Sequence, residues 1–152
     1  MQHSSLNHTA ASATLHCLTG CAIGEVVGMV ITTAGNWPAA PSVVLSIVLA
    51  FVFGYSLSMR PLLRHGLEPK RALRLALAAD TSSIATMELS DNAFILLVPG
   101  AINAGLNTAL FWLSLGVSLV VAYAVAFPVN RYLIAHGKGH AVVEEYHQGH
   151  HG

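Results

Sequence analysis

A chain of 152 residues with 54% hydrophobic and only 9% charged side chains falls far below the roughly one quarter charged residues of a soluble domain. Seven Lys and Arg balance seven Asp and Glu, so there is no basic surplus for nucleic-acid phosphates, and the apolar content excludes disorder. What charge there is leaves four long gaps, and these set the architecture.

From Leu15 to Met59 the only charged side chain is Glu25. Gly35-Asn36-Trp37-Pro38 and Pro41 interrupt this stretch and divide it into two helices, at about 14–34 and 42–59. A third helix is expected over about 71–98, opened by Glu68-Pro69 and stopped by Pro99-Gly100, since Pro suits a first helical turn. A fourth is expected over about 108–133, with Pro128 near its end as a kink. Each is close to the ~20 apolar residues that cross a bilayer. The remainder, about 134–152, reads as a polar, His-rich tail. The first 15 residues carry no Lys or Arg, so the first helix is expected to be a span rather than a signal peptide.

The pattern predicts an all-α protein, an integral membrane four-helix bundle forming a single domain, with consecutive helices antiparallel. Arg60, Arg64, Lys70, Arg71 and Arg74 surround the second turn, and Arg131 and Lys138 follow the fourth helix. Four spans place all seven on one side, which the positive-inside rule makes cytoplasmic together with both termini.

Polar residues within the spans carry the functional question. In His16-Cys17-Leu18-Thr19-Gly20-Cys21-Ala22-Ile23-Gly24-Glu25 and the following Gly28-Met29, the helical repeat gathers Cys17, Cys21, Gly24 and Gly28 on one side, with Glu25 at its edge. Gly20, Gly24 and Gly28 are spaced for close helix packing, and this glycine row points to a homo-oligomer. The third helix holds Asp80, Glu88 and Asp91. Carboxylates at this depth cost a few kcal/mol each unless turned inward, and they commonly mark ion paths. Asp80, Ile84, Met87 and Asp91 share one face, flanked by Glu88, while Thr81, Ser82, Ser83, Thr86 and Asn92 add hydrogen-bonding capacity.

Thiolate, imidazole and thioether suit Cu(I) and other soft metals, so His16, Cys17, Cys21 and Met87 form a candidate metal set. Glu25, Asp80, Glu88 and Asp91 form a candidate path for protons or cations. Three uses of the cysteines stay open: metal binding, packing as small apolar residues, and a redox pair. A haem would have only His16 as an intramembrane axial ligand and would need a dimer. His136, His140, His147, His150 and His151 could gather metal weakly. No catalytic triad order, phosphate loop or nucleic-acid motif is present.

The run from His16 to Glu25 with Gly28-Met29 resembles the opening motif of an uncharacterised bacterial membrane family, a domain of unknown function. Phe53-Gly54-Tyr55, Met59-Arg60-Pro61-Leu62-Leu63, Ala78-Ala79-Asp80-Thr81, Met87-Glu88, Asp91-Asn92, Pro99-Gly100-Ala101, Phe111-Trp112 and Phe127-Pro128-Val129-Asn130-Arg131 resemble it too, over about residues 13–147. The resemblance implies a small protein of the bacterial inner membrane and supplies no established reaction. A loose copper-oxidase label borne by some members points towards copper, although oxidase chemistry lacks its His2Cys site here. The resulting expectation is a membrane protein that binds or passes a soft metal ion, copper above all. It would sit in the lipid bilayer, with a second copy and a metal-handling protein as partners. A thiol-redox or enzyme accessory subunit and a purely structural membrane protein are the alternatives.

Overall fold

A computed structural model describes residues 2–64 and 66–136, with side chains from Ser5 onward apart from residue 65. Lys138 and the tail histidines His140, His147, His150 and His151 lie outside the described residues. The chain folds as four long helices, α1 (Gln2–Ala34), α2 (Ala39–Arg64), α3 (Pro69–Leu97) and α4 (Ala109–Ala135), with a 3-10 turn at Ala101–Asn103. No strand occurs among the described residues, and the all-α four-helix expectation holds.

Local chemistry sets the breaks. Asn36 ends α1 in the left-handed region with φ 53°. Around it the Trp37 amide donates to the Thr32 carbonyl at 2.9 Å and the Asn36 amide to that of Thr33 at 3.2 Å. These two bonds satisfy carbonyls that a helix end leaves orphaned. Gly66, with φ 88°, ends α2 in the same way, its neighbour Leu67 donating to Leu62 at 3.2 Å. Pro69 stands in the first turn of α3, and the Thr108 hydroxyl caps α4 by accepting from the Phe111 amide at 3.3 Å.

Two ends differ from the sequence reading. Helix α1 begins at Gln2, about three turns before residue 14, because hydropathy marks where lipid starts and not where a helix starts. Neither Gly nor Pro interrupts the early segment. Ala10 and Ala13 are buried there, and Arg131 Nε donates to Asn7 Oδ1 at 2.6 Å, which ties this extension to the end of α4. Helix α2 runs on through Pro61 to Arg64. Its last turn is held by Leu62, which packs with Leu67 and Ala72 across the turn into α3.

Small residues determine how the helices meet. A Cβ built on Gly20 would lie 2.7 Å from Gly54 Cα, one on Gly24 would overlap the backbone of Ala50, and one on Gly28 would strike Ser46. Rising numbers on α1 meet falling numbers on α2, so this pair is antiparallel. Gly20, Gly24 and Gly28 are the packing row that the sequence suggested, and α2 of the same chain covers them. Self-association would therefore have to use another face. Helix α4 runs back beside α1, since Asn130 meets Thr14 and Arg131 meets Asn7. Both described termini and the α2–α3 turn thus share one end of the bundle, and every described Lys and Arg is at that end.

Exposure is reversed relative to a soluble bundle, which hides leucines and displays charge. Leu89 is 75% exposed, Leu113 67% and Val120 69%, whereas Asp80 and Ser118 are 0% exposed. Helices α1, α2 and α4 are long and apolar enough to cross a membrane, and α3 is not among these three. The fold is that of a membrane protein.

Candidate functional site

The buried face of α3 comprises Ala72, Ala76, Ala79, Asp80, Ser83, Ile84, Met87, Glu88 and Asp91, a three-to-four-residue recurrence that presents one stripe to the bundle. Its polar members meet α1 and α4 in steps along the axis. At the cationic end, the Asn130 amide donates to Thr14 Oγ1 at 2.9 Å and to Ser83 Oγ at 3.0 Å. The same Thr14 hydroxyl donates to the Ala10 carbonyl at 2.6 Å. Next along α1, Cys17 Sγ donates to Asp80 Oδ1 at 3.6 Å. One turn further, Cys21 lies beside Glu88, and Cys17, Cys21, Ile84 and Met87 pack with Ala122 and Ala126 of α4.

Deeper still, the Glu25 and Asp91 side chains lie beside each other, with Ser118 of α4 next to Asp91. Asn92 donates to the Glu88 carbonyl at 2.8 Å and to Glu88 Oε2 at 3.5 Å. The partners advance together on α1 and α3, so these helices run parallel. Glu25, Glu88 and Asp91 then line a cavity of about 80 Å³ at the end remote from the Lys and Arg residues. Three of their oxygens, Glu25 Oε1, Glu88 Oε1 and Asp91 Oδ1, are buried without a hydrogen-bond partner. Orphaned polar atoms of this kind are rare in folded proteins because burial removes their water.

All four candidate path residues, Glu25, Asp80, Glu88 and Asp91, are buried and share the α1–α3 contact. Of the candidate metal set, Cys17, Cys21 and Met87 are brought together, no disulfide joins the thiols, and His16 is only partly buried. No group of three or more His, Cys, Asp or Glu among the described residues is placed to hold a metal ion. The hydroxyls of Thr81 and Thr86 donate to their own helix, at Leu77 and Ser82, so they serve α3 rather than the acids. Thr81 also meets the Tyr55 hydroxyl at 2.8 Å.

Thr14, Ser118 and Asn130 escaped the sequence reading as members of the site. A signal existed in α4, whose buried residues Ser114, Ser118, Ala122, Ala126 and Asn130 recur every fourth position. Its otherwise apolar composition conceals the row. Asn130 joins three helices, so Asn130→Ala is expected to destabilise the bundle by about 1–2 kcal/mol, the range for interhelical hydrogen bonds in lipid. Thermal unfolding in detergent, compared with the lipid-facing variant Val120→Ala, would show it.

An inverted bundle with a buried acid row defines the class, a helical membrane protein with carboxyl side chains in its interior. Within that class the chain belongs to the family described as Domain of unknown function (DUF4396), whose profile matches residues 6–139. No curated protein and no solved structure matches the chain.

Proposed function

We propose that this chain is a four-pass protein of the bacterial inner membrane whose α1–α3 contact forms a path for protons or other monovalent cations. The observation that carries the reading is the inward convergence of all four intramembrane acids on two parallel helices, the deepest three of them lining one cavity. Acids facing a membrane-protein interior commonly serve ion or proton relays. Helix α3 is taken as the fourth span because its acids turn inward while Leu89, Leu96 and Leu97 turn outward. With four spans, the end bearing Arg60, Arg64, Lys70, Arg71, Arg74 and Arg131 faces the cytoplasm, and both termini lie on that side. The deciding measurement uses liposomes that contain the protein and a trapped pH-sensitive dye, under an imposed membrane potential. Faster internal pH change than in protein-free liposomes is expected, and equal rates would overturn the reading.

Passage of a soft metal, copper in particular, is the second reading. It is favoured by the joint burial of Cys17, Cys21 and Met87 in one cluster, with His16 on the adjacent face of α1 as an auxiliary. Under it, detergent-purified protein retains copper and the Cys17→Ser/Cys21→Ser variant loses most of it. Equal copper stoichiometry in both would remove the cysteines from any metal site.

A further inference from the structure

Helix α2 contains no Asp or Glu, and from Met59 to Arg74 the cations Arg60, Arg64, Lys70, Arg71 and Arg74 stand against the single acid Glu68. Arg60 and Arg64 are one helical turn apart and both exposed. Like charges at this spacing repel each other, and no acid on their own helix offsets the repulsion. The two arginines border an open hollow of about 520 Å³, lined also by Ser56, Met59 and Leu63. Every fourth residue then continues the same outward row towards the middle of α2, through Val52 and Val48, which are 50% and 51% exposed. Ser56 does not make this strip polar, because its hydroxyl proton is spent on the Val52 carbonyl at 2.6 Å.

Depth decides what such a surface meets. Trp37 and Trp112, 48% and 51% exposed at the end remote from the arginines, are of the kind that settles at a membrane–water interface. From Ala39, its first residue, α2 rises about 32 Å to Arg60, close to the ~30 Å hydrocarbon layer. With the indoles at one interface, Arg60 reaches the phosphate level of the other, and Arg64 stands one turn further out. We propose that the hollow seats one anionic glycerophospholipid of the phosphatidylglycerol type, with its phosphate between Arg60 and Arg64 and an acyl chain along Met59, Ser56 and Val52. The match is chemical at both ends. A guanidinium is a planar fork that takes phosphate oxygens in pairs, and Cβ atoms one turn apart are about 5–6 Å from each other, so two forks close on one phosphate. An anion placed there relieves the repulsion between the arginines, while the exposed valines meet the hydrocarbon of the chain. Lys70, Arg71 and Arg74 lie outside the hollow and draw anionic lipid towards this end, as basic residues beside a membrane do. The site is on the outer face of α2 and is independent of the acid row.

The experiment is native mass spectrometry and thermal-shift titration of the full chain in non-ionic detergent. Dioleoyl phosphatidylglycerol is the probe, and dioleoyl phosphatidylcholine and inorganic phosphate are the comparisons. A complex of protein with one phosphatidylglycerol and a saturable rise in Tm are expected, with neither effect from the two comparison compounds. Arg60→Gln/Arg64→Gln should weaken the binding on the order of tenfold or more. Lys70→Gln/Arg74→Gln removes the same charge outside the hollow and is expected to weaken it much less. Should the first double variant fail to fold, Leu63→Glu keeps both arginines, sets a competing carboxylate beside them and is expected to abolish lipid retention. Equal weakening by the two double variants would reveal a diffuse field with no seat. Equal retention of phosphatidylcholine would remove the recognition of charge, and a matching rise in Tm with inorganic phosphate would leave an anion site without a lipid. Each of these three results would overturn the proposal.

Discussion

Leucine at position 24 is expected to unseat α1 from α2 and to leave little folded protein in detergent. A Cβ at Gly24 would overlap backbone atoms of Ala50 and approach Leu49 to 2.7 Å, and backbone cannot swing aside as a flexible side chain can. Overpacking in a well-filled interior typically costs about 1–3 kcal/mol, and Gly24→Leu belongs at or above the top of that range because the obstacle is main chain. Shifting α1 outward would also part Gly20 from Gly54 and Gly28 from Ser46, since all three contacts lie on one seam. The control is Gly116→Leu on α4, where an added Cβ meets nothing within 4 Å. Size-exclusion profiles and melting curves of the two variants decide the matter. A Gly24→Leu protein as stable as Gly116→Leu would show that the α1–α2 seam is looser than its geometry.

The second large effect concerns flux. Glu25→Gln and Asp80→Asn are each expected to reduce proton or cation flux in liposomes to the level of protein-free vesicles. Both substitutions preserve side-chain size and most hydrogen-bonding capacity while removing the ionisable group. Glu25 meets Asp91 at the deep end and Asp80 meets Cys17 near the cationic end, so the two variants interrupt the row at separate points. A purely structural protein, with its acids locked in interhelical hydrogen bonds, predicts the opposite result. Its melting temperature would move with each substitution, and the variants would match wild type in any flux assay.

The fold was legible in the sequence because membrane helices declare themselves by composition and by Gly and Pro punctuation. Asn36 and Gly66 end α1 and α2 through left-handed residues, and Pro69 opens α3, all chemistry that is local in the chain. The start of α1 was not legible, because polar residues such as Asn7 lie on a helix that continues beyond the apolar stretch. The acids of α3 and the glycines of α1 could be assigned to faces by helical repeat alone. Which helix each face meets is a long-range matter. Gly20, Gly24 and Gly28 are used up within the chain rather than between copies, and only the tertiary structure reveals this. Asn130 illustrates the remaining difficulty, since one amide in a long apolar run becomes informative only once Thr14 and Ser83 arrive from two other helices.

The clustering of Lys and Arg at one end makes the bundle electrically lopsided. An ion arriving at that end first meets positive charge, whereas one arriving at the opposite end meets no Lys or Arg among the described residues and finds the acid-lined cavity directly. Repulsion among exposed charges fades beyond about 10 Å at 0.1 M salt, but within the low-dielectric interior it is much less screened. For a cation using the proposed path, the two ends would therefore present different energy profiles, which is the asymmetry of a rectifier built from residue placement alone. Raising salt on the cationic side would flatten that difference, and raising it on the cavity side would leave it largely intact.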